Sequence, residues 1–459
     1  MHPFNQTIAA LSTPPGKGGV ALIRISGEDA FPIADTVFRA RSGISVAKLS
    51  PRRATYGDVL WEGEVVDDVL LTVFPAPHSY TGENTVEIAC HGGRLIVEAI
   101  LSAIFAAGAL PAEAGEFTRR AYLSGKLTLS EAEAIGGLLD AESTAQLKLF
   151  QRDSRSRLSA AIGEIYEDVR VLLSSLCAKI DYPDEDLADM ATDEVLAAVL
   201  AAEAKGRRLL ATYPTGQAVA EGIPTVLLGK PNTGKSTVYN LLCGKDAAIV
   251  TSLAGTTRDV LETTVTLGRV LLRLADTAGV RDTDNPVEKI GVERAKETAE
   301  KAALILTLFD GSVPADEEDT ALLSFLDTLQ GTKIALLNKS DLGQAFDSTL
   351  LQGHVSHILP FSAQGADTEA LQALVNRLFT DEQLRLGEDA VLFSARAHAA
   401  LLRGCDCLKT AAEALRTGLF IDAALSDLEA ALSAFAECDG RSVGEDVVAG
   451  IFNKFCVGK

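Results

Sequence analysis

The octapeptide GKPNTGKS, which begins at Gly229, constrains the fold more than any other part of the chain. It follows the apolar run IPTVLLG and precedes the helical segment TVYNLLCG, and this strand, loop and helix order is that of a phosphate-binding loop. Gly229 and Gly234 would let the backbone turn its amides inward around a phosphate. Lys235 would reach the β- and γ-oxygens of a nucleoside triphosphate, and Ser236 would ligate Mg²⁺. A chance turn is the alternative, but the complete G-x-x-x-x-G-K-S pattern in this context argues against it.

Two further segments predict groups for the γ-phosphate and its metal. The apolar run LLRLA leads into DTAG, in which Asp276 would hold Mg²⁺ through a water and the Gly279 amide would sense the γ-phosphate. The polar, glycine-containing segment TSLAGTTRD predicts a switch loop, whose Thr257 would ligate Mg²⁺ only when the γ-phosphate is present. Ras-type enzymes place a glutamine soon after D-x-x-G to orient the attacking water. Here VRD follows, so another group must orient the water.

Two more strand-to-loop segments indicate a preference for guanine. In KIALLNKSD, Asn338 and Asp341 flank Lys339, and a carboxylate at this place can accept hydrogen bonds from guanine N1–H and N2–H₂. Adenine does not offer this pair of donors, so the loop would select GTP over ATP. In ILPFSAQG, the segment Ser362-Ala363-Gln364 follows a strand, where a backbone amide can meet guanine O6. Four such motifs in series, each after an apolar strand, predict a GTP-binding domain.

The length and texture of the chain predict several domains. A chain of 459 residues exceeds what a single hydrophobic core supports. Residues 1–122 contain β-like runs such as VALIRIS and VLLTVF between turn clusters, which predicts an α+β domain. Residues 123–217 and 379–459 are rich in Ala, Leu and Glu at helical spacing, whereas 218–378 alternate strands and helices. The predicted fold is therefore multidomain α/β and α+β, with a Ras-like P-loop domain inserted into a discontinuous helical bundle.

Charge, cysteines and hydropathy limit the class of protein. A net charge of −21 means that the global field would not attract a nucleic acid, so a local patch or a basic partner would have to do so. Seven scattered cysteines fit reduced thiols, and Cys405 and Cys407 are expected to be buried helix residues rather than zinc ligands. No apolar run approaches the length of a membrane span and no signal peptide is evident, which predicts a cytoplasmic protein.

Over its whole length the chain resembles the MnmE (TrmE) family of tRNA-modification GTPases. The resemblance rests on GKPNTGKST, AGTTRD, DTAGVRDT, the downstream VEKIGVERA and the C-terminal FCVGK, which is highly specific. Three N-terminal segments add to it: TPPGKGGVALIRISG, HSYTGENTVEIACHGG and AGEFTRRAYLSGKLTLSEAEAI.

The resemblance implies a K⁺-dependent GTPase whose G domains dimerise, with K⁺ in the place of an arginine finger. The implied K⁺ contacts are Asn232, Thr251, Leu253 and Thr256. Glu288 matches the family's water-orienting glutamate, although a glutamate in a charged helix is by itself usually a solvated residue. The full set of GTP contacts predicted from the motifs and the resemblance is Asn232, Thr233, Gly234, Lys235, Ser236, Thr237, Thr251, Ser252, Leu253, Ala254, Gly255, Thr256, Thr257, Asp276, Thr277, Ala278, Gly279, Asn338, Lys339, Asp341, Ser362, Ala363 and Gln364.

The resemblance further implies an N-terminal domain similar to folate-binding proteins, which joins two subunits into a homodimer. It would bind 5-formyl- or 5,10-methylene-tetrahydrofolate through Arg24, Glu83, Lys126 and the C-terminal Lys459. Arg24 lies in an apolar strand, where its charge needs a partner. That partner is either a carboxylate of the ligand or a protein group in a structural salt bridge.

Cys456 has two interpretations. In the family it has been proposed to act on the uridine, and a thiolate is a competent nucleophile toward C6 of a pyrimidine. It could equally be a buried small hydrophobe at a helix end, which is the interpretation we favour from the sequence.

The implied function is formation of 5-carboxymethylaminomethyluridine at the wobble position of tRNA. The partner would be the flavoprotein MnmG (GidA) in a heterotetramer, with the one-carbon unit supplied by tetrahydrofolate. One alternative is a ribosome-assembly GTPase, although the chain has no second P-loop and no G-x-x-G flanked by basic residues. Another is a stand-alone folate-dependent aminomethyl transferase regulated by GTP.

Overall fold

The computed structural model of the protein describes residues 6–153, 156–181, 192–244, 262–275, 298–365, 368–381, 390–417 and 421–459. Contacts divide the chain into two compact units. The first joins the chain up to Gly136 with Ser433–Lys459, and the second is Gly137–Leu432. Each unit contains a sheet with helices, so the predicted multidomain α/β and α+β class is confirmed. The predicted boundaries after residues 122, 217 and 378 remain predictions.

In the described part of the first unit, seven strands form one sheet in the order β3-β4-β5-β6-β2-β1-β7. Neighbouring strands are antiparallel except β1 and β7, which are parallel. The strands are β1 Ile8–Leu11, β2 Gly18–Ser26, β3 Phe38–Ala40, β4 Thr55–Trp61, β5 Glu64–Phe74, β6 Thr85–Gly92 and β7 Leu110–Pro111. The helices that begin in this unit are α1 Ala30–Val37, α2 Arg94–Ala106, α3 Glu116–Leu123, α4 Leu129–Leu139 and α14 Glu445–Phe452.

Alternating side chains account for this sheet. In β5, Val69, Leu71 and Val73 are buried while the residues between them are more exposed, as expected for a strand with one covered face. Helix α2 buries Val97, Ile100 and Ile104 at spacings of three and four residues, which form the apolar stripe that packs on the sheet.

The last residues of the chain belong to the first unit and lie beside α3. Val457 forms an antiparallel bridge with Ala114, and the Phe117 amide donates to the Lys459 carbonyl at 2.9 Å. Gly458 has a φ of +96°, and a Cβ there would collide with the Leu11 carbonyl. The C-terminal FCVGK segment is therefore held against the start of α3 by its backbone, with glycine required at its penultimate position.

In the described part of the second unit, six strands form a sheet in the order β13-β12-β11-β8-β10-β9. All neighbours are parallel except the edge strand β9, which is antiparallel to β10. The strands are β8 Ile223–Leu228, β9 Glu262–Leu267, β10 Val270–Ala275, β11 Leu304–Asp310, β12 Thr332–Asn338 and β13 His357–Pro360. The continuous apolar runs at β8, β11 and β12 are buried, as parallel strands covered on both faces require.

Helices surround this sheet and also form the predicted helical region. Their bounds are α5 Thr144–Asp153, α6 Arg157–Asp181, α7 Thr192–Leu210, α8 Tyr213–Glu221, α9 Lys235–Cys243, α10 Glu317–Leu326, α11 Glu369–Asn376, α12 Ala395–Arg416 and α13 Ile421–Asp439. Helices α7 and α12 pack together although the sheet lies between them in sequence. Gly206 lies against Cys405, and Arg207 pairs with Asp406 at 2.7 Å. This contact agrees with a P-loop domain inserted into a helical region.

The cysteine and membrane predictions can be compared with the described residues. Cys405 and Cys407 both lie in α12, with Cys405 buried and Cys407 half-buried. Burial raises the pKa of the Cys405 thiol to about 11, so it is a protonated thiol at neutral pH. Across the described ranges, no helix has both the length and the apolar character needed to span a bilayer.

Candidate nucleotide-binding site

The carboxyl ends of the parallel strands bring three predicted loops to one edge of the second sheet. The phosphate-binding loop follows β8, the NKSD loop follows β12, and the SAQ loop follows β13. Ligands of open α/β sheets bind at this edge, beyond the carboxyl ends of the strands.

The backbone of the phosphate-binding loop has the turns that its glycines predict. Gly229 and Gly234 have φ values of +147° and +97°, and Asn232 between them has a φ of +64°. A Cβ at Gly229 would lie 2.7 Å from the Leu308 carbonyl oxygen, and a Cβ at Gly234 would collide with the Asn338 carboxamide. Only glycine therefore fits at both positions. The loop ends at the N-terminus of α9, where free amides and the helix dipole favour an anion.

Lys235 lies across this loop. Its ammonium donates to the carbonyls of Gly229 and Lys230, both at 2.8 Å, and the Thr233 hydroxyl donates to the same Lys230 carbonyl at 2.9 Å. Ser236 and Thr237 follow in the first turn of α9, with both side chains exposed. A compact cation and a free hydroxyl beside a helix N-terminus suit a phosphate and the Mg²⁺ that accompanies it.

Asn338 joins the three loops. Its side chain is 2% exposed. The Nδ2 atom donates to the Thr233 carbonyl at 2.7 Å, and the Oδ1 atom accepts from the Ala363 amide at 3.0 Å. One buried carboxamide therefore fixes the distance between the phosphate-binding loop and the SAQ loop, with the NKSD loop between them.

A cleft of about 90 Å³ lies among these loops. Its lining includes Gly234 and Thr237 from the phosphate-binding loop and α9, and Asp341 and Ala363 from the other two loops. The Asp341 carboxylate is exposed and accepts from the Ser362 hydroxyl at 2.6 Å, which orients it. A carboxylate in a cleft that the phosphate-binding loop also lines matches the acceptor that guanine N1–H and N2–H₂ require.

Lys339, which lines the same cleft, is paired with Asp310, a residue that was not predicted from the sequence. It has a φ of +61°, and its ammonium pairs with Asp310 at 2.6 Å. Burial opposes the charge of Asp310, but hydrogen bonds from Lys339 and Ser312 hold the pKa of this carboxyl below its ordinary value. The available signal was an aspartate at the end of the apolar strand LILTLFD, followed directly by glycine.

Many predicted contacts lie outside the described residues. These are Thr251, Ser252, Leu253, Ala254, Gly255, Thr256, Thr257, Asp276, Thr277, Ala278, Gly279 and Glu288. Their roles toward the γ-phosphate, Mg²⁺, K⁺ and the attacking water remain predictions.

In the first unit, Arg24 has a protein partner. Its guanidinium pairs with Glu87 on the neighbouring strand at 2.8 Å, and it lies 5.4 Å from the ring centroid of Tyr80 and 5.5 Å from that of Phe117. The structural salt bridge considered from the sequence is therefore present. A ligand carboxylate is not needed to balance this charge. Of the two rings, Phe117 is fully buried and Tyr80 is half-buried.

Glu83 belongs to the same neighbourhood. Both of its oxygens accept from Arg120 at 3.1 Å, and one accepts from the Ser26 hydroxyl at 2.7 Å. Arg120, which sequence reasoning also missed, is 3% exposed and pairs with Glu116 at 2.8 Å, so it holds Glu83 in one orientation. Its only sequence signal was a charged residue within the segment AGEFTRRAYL.

Of the two predicted lysines, Lys126 makes its contact through its side chain and Lys459 through its main chain. The Lys126 ammonium donates to the Pro77 carbonyl at 2.9 Å, at the start of the segment that carries Tyr80 and Glu83. Lys459 meets Phe117 through its main-chain carbonyl. The structure thus places Arg24 beside the Tyr80 and Phe117 rings and the Lys459 carbonyl on the Phe117 backbone amide. The role of the four predicted residues toward folate remains a prediction.

Cys456 is exposed and follows α14 rather than lying within a helix. Its interpretation as a buried helix residue is therefore wrong, because the helix ends before it and the tail contacts the start of α3 through its backbone. Exposure is compatible with a nucleophile, and that role remains a prediction.

The second sheet and its three loops define a P-loop domain of the guanine-nucleotide-binding class. Comparison with protein-family models agrees: the model described as the GTP-binding protein TrmE N-terminus matches residues 7–126, and the model described as the MnmE helical domain matches residues 129–456. The chain belongs to the MnmE family of tRNA modification GTPases. The resemblance seen in the sequence is confirmed, as is the prediction of a GTP-hydrolysing enzyme.

Similar proteins match along nearly the full chain. Proteins named tRNA modification GTPase MnmE are 36% identical in Carboxydothermus hydrogenoformans and 39% identical in Symbiobacterium thermophilum. These matches cover 99% of this chain, and 100% and 99% of the two relatives. Among solved structures, Era of Aquifex aeolicus is 26% identical over 40% of this chain and 65% of its own, with a TM-score of 0.27.

Replacing Asn338 by alanine should weaken guanine-nucleotide binding, because the Thr233 carbonyl and the Ala363 amide would both lose their partner. Each such buried group costs about 1–3 kcal/mol, so we expect the dissociation constant for fluorescent GDP to rise by roughly tenfold or more. Asn376→Ala is the matched control, since that carboxamide accepts from the Arg269 amide in the β9–β10 turn. An Asn338→Ala protein that binds GDP as tightly as the Asn376→Ala protein would contradict the role given to Asn338.

Proposed function

We propose that this chain hydrolyses GTP as part of the modification of wobble uridine in tRNA. It would form 5-carboxymethylaminomethyluridine together with the flavoprotein MnmG (GidA), using a tetrahydrofolate one-carbon unit. The observation that carries the proposal is the arrangement around Asn338, where a phosphate loop and an aspartate suited to guanine line one cleft. The names of the full-length relatives supply the tRNA substrate class.

In this proposal, each loop has a separate task toward GTP. The amides at the N-terminus of α9 and the Lys235 ammonium bind the β- and γ-phosphates, while Asp341 accepts from the guanine ring and rejects adenine. Ser236 and Thr257 would hold Mg²⁺, which when bound neutralises charge on the phosphates. Asp276 and the Gly279 amide would complete the γ-phosphate side.

A potassium ion is proposed in place of an arginine finger. Asn232 supports this, because its left-handed backbone places an exposed carboxamide at the tip of the phosphate loop. Thr251, Leu253 and Thr256 would supply the other oxygens. When bound, K⁺ would contribute positive charge beside the transferring phosphoryl group. Glu288 would orient the attacking water, and the G domains of two subunits would associate during the cycle.

The first unit is proposed to bind 5-formyl- or 5,10-methylene-tetrahydrofolate near Arg24, Glu83, Lys126 and Lys459. The support is spatial: Arg24, Tyr80 and Phe117 lie together, and the Lys459 carbonyl accepts from the Phe117 backbone amide. A pteridine could stack on the half-buried Tyr80 ring, while the Glu83 carboxylate, held by Arg120, could accept from its ring nitrogens.

The proposed assembly is a cytoplasmic homodimer that forms a heterotetramer with the flavoprotein. A net charge of −21 favours an arrangement in which the flavoprotein supplies much of the tRNA contact. Cys456 would be available in this assembly as a nucleophile toward the uridine.

Mass spectrometry of tRNA nucleosides tests the function directly. Cells that lack this protein should lose the carboxymethylaminomethyl group from wobble uridine, and the intact gene should restore it. Complementation with Lys235→Ala should fail, since the phosphates would lose their main cation. Unchanged nucleosides together with a defect in ribosomal subunits would contradict the proposal and favour the ribosome-assembly alternative.

The potassium proposal predicts a cation effect on the rate of hydrolysis. GTP turnover should be roughly tenfold or more faster in KCl than in NaCl at equal ionic strength, because a charge stabiliser contributes at least that much to a phosphoryl transition state. Asn232→Ala should remove most of this difference, whereas Asn240→Ala, which changes an exposed asparagine of α9, should keep it. Equal rates in the two salts for the unmodified protein would exclude K⁺ as the stabiliser.

A further inference from the structure

Lys230, the second residue of the phosphate-binding loop, is held by two carboxylates from another element. Its ammonium lies 2.6 Å from Asp316 Oδ2 and 2.7 Å from Asp319 Oδ2. The Lys230 side chain is 14% exposed and that of Asp319 is 2% exposed, so the second of these contacts is shielded from solvent. From the sequence alone, Lys230 would be a solvated charge in a loop.

Asp316 and Asp319 are also held in position by each other's backbone amides, independently of Lys230. Asp316 is the N-cap of α10 and accepts from the Asp319 amide at 3.0 Å, while Asp319 accepts from the Asp316 amide at 3.1 Å. This reciprocal capping box stabilises the start of the helix. Helix α10 is in turn anchored by Leu323 and Leu326, which are buried in the core of the P-loop domain.

The charges favour this contact. Burial opposes the charge of Lys230, but the hydrogen bonds to Asp316 and Asp319 outweigh it and raise the pKa of the ammonium. The hydrogen bond from Lys230 is the largest cause of the lowered pKa of Asp316. Without the lysine, two carboxylates three residues apart would face each other with no cation between them.

The backbone of Lys230 transmits this restraint to the nucleotide site. Its carbonyl accepts from the Lys235 ammonium at 2.8 Å and from the Thr233 hydroxyl at 2.9 Å. Because the side chain is tied to α10 by two charge-assisted hydrogen bonds, displacement of Lys230 from α10 would also displace the carbonyl that binds Lys235. The position of Lys235 therefore depends on Asp316 and Asp319, which do not line the cleft.

We infer that Lys230 is a positioning residue, which through Asp316 and Asp319 holds the phosphate-binding loop in the shape that binds the diphosphate of a guanine nucleotide. This inference rests on the nucleotide binding proposed above and assigns the affinity of that site in part to a contact outside it. The contact is made by side chains of this chain alone and involves no group that reacts. It should therefore set how tightly the nucleotide binds more than how fast the bound GTP is hydrolysed.

The test is to measure fluorescent GDP binding and GTP turnover in variants of the full chain. Lys230→Met removes the charge while keeping a long side chain, and Asp319→Asn keeps the shape of the carboxylate while removing its charge. We expect each to raise the dissociation constant for GDP about tenfold, the effect of losing a charged hydrogen bond, with a change in kcat of no more than about twofold. Combining the two changes should be no worse than Lys230→Met alone, because both break the same contact.

Two controls separate positioning from a general loss of stability. Lys230→Arg should bind GDP about as tightly as the unmodified protein, since arginine can reach both carboxylates. Lys301→Met should also leave GDP affinity unchanged, because Lys301 is an exposed lysine elsewhere in the domain. If Lys230→Met does not fold, Asp319→Asn with its near-isosteric side chain decides the matter. The inference would be overturned if Asp319→Asn binds GDP within about twofold of the unmodified protein. It would also be overturned if Lys230→Arg loses as much GDP affinity as Lys230→Met. Failure of the unmodified protein to bind GDP would instead overturn the proposed function.

Discussion

The nucleotide site depends on the two hydrogen bonds made by the Asn338 side chain. Three loops that are far apart in sequence can act on one ligand only if their spacing is fixed, and a buried carboxamide between Thr233 and Ala363 fixes it. Without the carboxamide, the Thr233 carbonyl and the Ala363 amide would both lose their hydrogen-bond partner. Displacing either loop therefore costs hydrogen-bond energy, which keeps the loops at a fixed spacing. The Lys230 contact with α10 restrains the same phosphate loop from a second element.

Ion pairs support the proposed site in each unit. In the first, Arg120 is buried and holds Glu83, and Arg24 is paired with Glu87. In the second, Lys230 and the half-buried Lys339 are each paired with aspartates next to the ends of strands or helices. These pairs hold residues and loops of the two proposed sites in place, and such charges contribute more to geometry than to net stability.

How far the sequence predicts the structure depends on the range of the interaction. The strands at IPTVLL, VLLRLA and TKIALLN were predicted correctly, as was the phosphate-binding loop after the first of them, because apolar runs and glycine spacing are local signals. The partners of Arg24 and Asn338 could not be predicted, since they lie between 25 and 105 residues away and meet only after folding. The burial of Cys456 was predicted wrongly, because the segment around it is held by backbone contacts. Such contacts leave no apolar pattern in the sequence.

Every role proposed for the second unit requires that one edge of its sheet bind a guanine nucleotide between Lys235 and Asp341. Isothermal titration calorimetry of the unmodified protein with GDP and, separately, with ADP measures this binding. We expect saturable heat with GDP, and ADP binding weaker by roughly a thousandfold or more, because adenine would leave the Asp341 carboxylate without its donors. No heat from GDP, or equal affinity for GDP and ADP, would contradict it.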